Sequence, residues 1–253
     1  MLTLQNKELR PYFISIPNQV QRLIFKNLSS TSTEDFKIST SILGNNKLTG
    51  DAVSDFIACE SAKAKLKLVA ATSNLLSSLQ RGFTSSEYCN FTKKLSIFDF
   101  DIIAIPYHRG NISNGHWSLI ITYPNQKAIV HIDSLKLANL DVFNTCLHLI
   151  RQNYKCHEMP FIMDEWKCIQ PDGIHQQVDA TSCGVWCCIN AFKIINENDI
   201  VCQDDDLPMI RYFIAEKVSS FQSKKLGIAD KESYLEDMSL PLKGSLNIIR
   251  SAK

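Results

Sequence analysis

A mixed α+β fold is predicted by two observations: apolar, β-rich segments cluster between residues 98 and 133, and segments of helical periodicity lie on both sides of that cluster. The β-rich segments are FDFDIIAIPYH, HWSLIITY and KAIVHID, the last two separated by a turn at Pro124–Asn125.

Length and charge narrow the class. With 253 residues the chain holds one medium-sized domain plus extensions and has ample length to bury a core. Lysine and arginine total 27 against 26 acids, a formal charge of +1, so neither nucleic acid nor an anionic membrane is expected as the main partner. Nine cysteines follow a start, MLTLQNKELRPYF, with no basic n-region or long apolar run. That combination predicts a soluble protein of a reducing compartment, nucleus or cytoplasm, or a host cell's cytosol for a bacterial effector. No stretch approaches the roughly eighteen continuous apolar residues of a membrane span.

In chain order, residues 1–45 form an extension: a short helical pattern at Val20, Leu23, Ile24 and Leu28, then the polar linker SSTSTEDFKISTS. Residues 46–223 are predicted as the main domain. Its first helix is expected over Asp51–Lys67, with Val53, Phe56, Ile57 and Ala64 at helical spacing. A buried strand around Ile102–Ile105 precedes the hairpin, and a helix over 137–153 with Leu140, Phe143, Leu147 and Ile150 on one face follows it. The segment 155–182 reads as irregular. An apolar helix begins at Cys183, turning Val185, Trp186, Ile189, Phe192 and Ile195 to a core. A last helix is signalled by DDDLPMIRYFIAEKVSSF, with aspartates to cap it and Pro208 in its first turn, and 224–253 is expected as a weakly ordered tail.

Cys183 stands where the polar segment ATS meets that apolar helix, so its sulfur is expected near the positive helix end, which lowers a thiol pKa. The other eight cysteines read as small buried hydrophobes. Ser182 is a candidate cap, and Gly184 removes a side chain where a substrate backbone must approach. A thiolate needs a base, and His116 in NGHWSLII sits at the mouth of a strand. A turn centred on Pro124–Asn125 puts His116 directly opposite Asp133, within reach for a carboxylate to orient an imidazole. Gln177 offers an amide for an oxyanion, although spacing alone does not choose it over Gln176.

These residues resemble the ubiquitin-like-protein protease family, the Ulp and sentrin-specific group of SUMO proteases and relatives. The resemblance runs from about Leu48 to Phe192 and rests on FDFDIIAIPYHRGNISNGHWSLIITYPNQKAIVHIDSL and QQVDATSCGVWCCIN, in the family's order. It implies a papain-like cysteine protease fold, a mixed sheet flanked by helices with the nucleophile at a helix N-terminus. It also implies a triad of His116, Asp133 and Cys183, Gln177 as the oxyanion glutamine, and Trp117 as a lid over the substrate's Gly-Gly tail. The implied reaction is thiol-dependent cleavage after that tail, in maturation or deconjugation, with a ubiquitin-like modifier (SUMO, NEDD8 or ubiquitin) as partner and no metal or organic cofactor.

Three departures bear on substrate contact. LTGD stands in place of the family's Trp-Leu-Asn-Asp, so Leu48 replaces an aromatic wall while Asp51 is kept. Asp179 and Ser182 stand where the family commonly has Asn and Asp. IPNQVQRLIFKNL resembles the first helix of an F-box, implying an SCF-type partner, against an ordinary packing helix. The competing readings are a deubiquitinase or acetyltransferase using the same triad, a modifier-binding module with dead chemistry, and a zinc site drawn from Cys183, Cys187, Cys188, Cys156, His157 and Cys168. Lys63, Lys65 and Lys67 read as solvated surface.

Overall fold

Strands that are apolar on both faces need cover on both, and IIAI and SLIIT have that character. The computed structural model, which describes residues 40–64, 67–70, 96–110, 115–137, 140–198 and 201–229, meets the requirement with a five-stranded sheet between helical layers. The elements are α1 (Thr40–Leu43), α2 (Gly50–Ser61), β1 (Leu68–Ala70), β2 (Ile102–Arg109), β3 (His116–Tyr123), β4 (Ala128–Ile132), α3 (Leu140–Cys156), β5 (Lys167–Ile169), α4 (Cys183–Ile195) and α5 (Leu207–Ala229). Strands lie in chain order, antiparallel at the centre and parallel at both edges, where β1 joins β2 and β5 joins β4.

Side-chain alternation divides the core in two. Ala104, Leu119, Ile121 and Val130 meet Phe56 of α2, Trp186 and Ile189 of α4 and Phe213 of α5. The intervening Ile103, Ile105, Ile120 and Ile129 meet Phe143, Cys146 and Ile150 of α3. Phe213 packs edge-on against both Phe56 and Phe192, with ring centroids 5.8 and 5.3 Å apart, tying α5 to α2 and α4. Helix α4 is buried almost all round, which fixes the height of its first residue, Cys183, against the strand ends.

Several boundaries differ from expectation. Helix α2 ends at Ser61 rather than near Lys67: the Ser61 hydroxyl donates back to the Ile57 carbonyl, and tight turns from Lys63 to Glu60 and Ala64 to Ser61 close the helix. The chain then enters β1, its approach held by the Lys67 N–H on the Asp101 carboxylate. Within the supposedly irregular 155–182, β5 pairs with β4 from Ala128↔Lys167 to Val130↔Ile169. Strands β1 and β5 have three residues each, too few to show alternation. Strand β2 runs on to Arg109, α3 covers Leu140–Cys156, and α5, with Pro208 in its first turn, continues past Lys224 to Ala229. The aspartates form a separate 3-10 turn, Asp204–Asp206, in a reciprocal capping box with Gln203. The helical pattern at Val20–Leu28, the linker up to residue 39 and residues 230–253 lie outside the described residues, whereas Thr40–Leu43, expected in the extension, is helix α1, with Ile42 buried in the core and its carbonyl accepting from Arg211 at 3.1 Å.

The hairpin holds the most consequential correction. Its register runs from Tyr123↔Ala128 to Leu119↔Ile132, so the turn contains Pro124–Gln126 as a 3-10 turn plus Lys127 in the left-handed region at φ 51°. The centre lies one residue later than Pro124–Asn125. One step past Leu119↔Ile132, Asp133 falls level with Ser118 and not with His116. The slip is an even number of residues, so both side chains stay on the same side of the sheet and meet diagonally instead of face to face.

A left-handed conformation strains any residue with a Cβ, whereas glycine adopts it freely. Lys127→Gly is therefore expected to raise the urea midpoint at unchanged slope. A lowered midpoint would show that the Lys127–Glu165 ion pair, rather than backbone geometry, sets the turn.

Candidate active site

Strand β3 opens with His116, and the carbonyl just before it, on Gly115, accepts from Lys47 Nζ at 2.8 Å. Strand β4 ends at Ile132, and the next residue, Asp133, is buried. Its Oδ1 accepts from His116 Nε2 at 2.6 Å and from the Leu135 N–H at 2.8 Å. Burial alone would push this carboxyl up, but the His116 and Leu135 bonds and the His116 charge outweigh it and hold it below the usual range.

The same competition runs through the next two groups. Burial disfavours a charged His116, yet its hydrogen bonds to Asp133 and Cys183 and their charges push its pKa up to about 9. Burial disfavours a charged Cys183, yet the His116 bond, the Trp117 backbone N–H, the His116 charge and the Gly184 N–H bring it below an ordinary thiol. Burial instead drives up Cys59, Cys146, Cys168, Cys187, Cys188 and Cys202. The His116 ring first, and then the backbone N–H groups of Trp117 and Gly184, separate Cys183 from the other buried thiols.

The helix start is built differently from the expected Ser182 cap. Ser182 makes no side-chain cap bond; its hydroxyl donates to Asp179 Oδ2 at 2.5 Å. Asp179 Oδ1 accepts the N–H groups of Thr181 and Ser182 at 3.1 and 2.9 Å, so Asp179 organises the loop. Helix N–H groups left uncapped by Ser182 remain for the sulfur, and the Gly184 N–H is among those holding it.

Gln177 is buried and gripped at three points. Its Oε1 accepts from Ser134 Oγ at 2.6 Å, its Nε2 donates to the Asp179 carbonyl at 2.7 Å, and its backbone N–H donates to the Ser134 carbonyl at 3.1 Å. One Nε2 hydrogen remains. Gln176 turns its amide to the Ile174 carbonyl instead. Ser134, not singled out from sequence, is what fixes the Gln177 amide; its signal was adjacency to Asp133 at the end of a strand.

Trp117 and Leu48 are buried, and Trp117 Nε1 donates to the Leu48 carbonyl at 3.1 Å. A Cβ on Gly184 would lie 3.0 Å from Leu48 Cβ and 3.2 Å from Trp117 Cδ1, so the three residues form one tight wall, aliphatic on the Leu48 side. His108 leans on the Trp117 ring, centroids 4.5 Å apart. Asp51 is exposed in the first turn of α2, after Thr49, whose hydroxyl accepts from the Ala52 N–H. Buried His131 meets Ser118 Oγ at 2.9 Å, and desolvation pushes it down to about 4, leaving it neutral beside the charged pair. Among the described residues, no group of three or more His, Cys, Asp or Glu could hold a metal ion, and no helix is long and apolar enough to cross a membrane.

Residues 51–226 match the Ulp1 protease family, C-terminal catalytic domain, over more than half of the chain. The chain belongs to this family. Sentrin-specific protease 2 of Homo sapiens is 25% identical over 124 residues, covering 48% of this chain and 20% of that protein. The Rattus norvegicus protein of that name is 24% identical over the same length. The match thus spans about a fifth of these relatives. In fold, the Ulp1-family domain is similar to the C-terminal Ulp1 protease domain solved with Smt3, the yeast ortholog of SUMO, with TM-score 0.59, 18% identity and coverage of 83% of this chain and 97% of that one. It is also similar to the Chaetomium thermophilum Ulp1-like SUMO protease catalytic domain, with TM-score 0.53, 16% identity and coverage of 86% and 94%.

Gly184→Ala tests the wall. The new methyl must displace Leu48 or Trp117, both buried, which costs about 1–3 kcal/mol for overpacking of this kind. The readout is urea unfolding followed by tryptophan fluorescence; unchanged stability would mean that α2 moves aside freely.

Proposed function

We propose that this Ulp1-family domain is a thiol-dependent isopeptidase that cleaves after the C-terminal Gly-Gly of SUMO or a related ubiquitin-like modifier. One observation carries the reading: the His116 ring joins buried Asp133 at 2.6 Å and also bonds Cys183, the described cysteine whose pKa is lowered. The Ulp1 structure solved with Smt3 supports the substrate class.

In this mechanism Asp133 holds Nε2–H of His116, which leaves Nδ1 for Cys183. His116 is raised to about 9 and the thiol is lowered, so the proton is drawn from sulfur to ring and the reactive form is the thiolate–imidazolium pair. The thiolate attacks the carbonyl of the final glycine, and the oxyanion is met by the Cys183 backbone N–H and the free Nε2 hydrogen of Gln177. Collapse transfers the His116 proton to the departing lysine amine. The ring then takes a proton from water, whose attack on the thioester frees the modifier and regenerates the thiolate–imidazolium pair. Trp117 and Leu48 shape the channel for the tail, which glycines alone are narrow enough to follow, and Asp51 is a contact for the modifier at its rim.

Labelling with SUMO, NEDD8 and ubiquitin carrying cysteine-reactive C-termini tests both activity and modifier. Capture of one modifier, lost in Cys183→Ala and kept in Cys187→Ala, is expected; capture surviving Cys183→Ala would refute the nucleophile.

The pH profile supplies a second check. Activity should rise with pH as Cys183 ionises and fall as His116 loses its proton near 9. Asp133→Asn removes the hydrogen-bonded charge that raises His116, so the alkaline limb should move toward neutrality and kcat/KM should drop by about 10²–10⁴-fold. An alkaline limb that stays in place in a folded Asp133→Asn protein would mean that another group orients the ring.

A further inference from the structure

A protease that cuts an isopeptide handles two halves of its substrate, and the Trp117–Leu48–Gly184 wall accounts for one. The other rim of the site exposes apolar side chains. Val178 is 83% exposed, Leu135 41% and Leu137 40%.

Their placement is forced by the bonds that assemble the site. Ser134 and Gln177 are linked twice, through backbone and through side chains, so Leu135 and Val178 each leave directly from a cross-linked residue. The Gln177 side chain also closes onto the Asp179 carbonyl, spanning the residue between. Val178 stands on the outside of that ring and cannot turn inward. On the other side, Asp133 accepts the Leu135 N–H on its carboxylate and the Lys136 N–H on its carbonyl, with Lys136 left-handed at φ 52°. That tight turn holds Leu135 out as well. Single exposed apolar residues are ordinary on a surface, but Leu135 and Val178 each adjoin a residue of the Ser134–Gln177 link, next to the group that orients the base and the amide offered to the oxyanion.

We propose that Val178, with Leu135 and Leu137, forms the leaving-side surface, receiving an apolar side chain next to the acceptor lysine of the conjugated target. The proposal rests on the isopeptidase reading. Trp117 and Leu48 are buried and committed to the tail, and along β3 Trp117 alternates with His116, so the Asp133–Ser134 rim belongs to the opposite side of the strand end. The lysine amine leaves on the side the tail does not fill, carrying its flanking residues across that rim. A few side chains give far less area than a folded partner needs, which selects a short extended segment as the occupant.

The test uses the full chain and three substrates with the same modifier: an isopeptide with Leu before the acceptor lysine, one with Ser there, and a small aminocoumarin amide. The wild type should prefer Leu over Ser by about tenfold in kcat/KM, the low end for an apolar contact. Val178→Ser and Leu137→Ser should erase most of that preference while aminocoumarin release stays within about twofold. No preference in the wild type, or equal slowing of all three substrates, would overturn the proposal. A free lysine peptide with a photoreactive leucine beside the lysine, added to Cys183→Ala protein, reads the surface without cleavage. Labelling mapped to 135–137 and 178 supports it even should no modifier be hydrolysed, an outcome that would sink the isopeptidase reading alone; labelling confined elsewhere overturns the surface.

Discussion

A carboxylate deprived of water organises this site. Asp133 is 4% exposed, and an ionised carboxyl so placed is tolerable only when it is hydrogen-bonded and paired. His116 and the Leu135 N–H occupy the same oxygen, Oδ1. The charge they retain holds a proton on the imidazole, and the imidazolium in turn favours the thiolate on Cys183. Each charge is favoured by the next. Burial, which opposes every one of these charges, is also what makes their mutual attraction strong. The neighbouring His131 shows the alternative: desolvated without a carboxylate bonded to its ring, it stays neutral and does not compete for the proton.

The scaffold serves this relay by fixing distances between elements remote in sequence. Helix α4 is wedged between the sheet and the α2–α5 layer, so the sulfur cannot drift from the end of β3. The loop before it is tied internally by Asp179 and across to the turn after β4 by Ser134 and Gln177. Trp117 links the second residue of β3 to the Leu48 carbonyl just before α2. Three chain segments therefore reach the site already braced.

Much of this was legible in the residue order. The long apolar segments gave β2, β3 and α4 because burial on known faces leaves a periodic trace, and the start of α4 at Cys183 was readable in the same way, although the His116 ring does most to lower its thiol. What stayed hidden was short or non-local. Strands β1 and β5 exist only as parallel partners to longer strands, and nothing in LVA or KCI announces that pairing. The hairpin centre was misplaced because Lys127 adopts a left-handed conformation that favours glycine or asparagine, so the true end of the turn carried no signal. Ser182 reads as a cap by type, but the nearby Asp179 carboxylate is the better acceptor and claims its hydroxyl. The grip of Ser134 on Gln177 joins residues 43 positions apart, beyond any local pattern.

The parity of the hairpin bears on how such a sequence can drift. His116 opens one strand of the hairpin and Asp133 follows the end of the other, and their meeting depends on alternation along those strands. A residue added within the turn lengthens the loop and leaves the pairing untouched. One added within a strand, between the turn and His116 or Asp133, must be absorbed in a bulge, or it sends the carboxylate to the far face. Relatives of this domain should therefore vary freely in this turn but by even steps in its strands, and where an odd step survives there, a bulge should be found beside it.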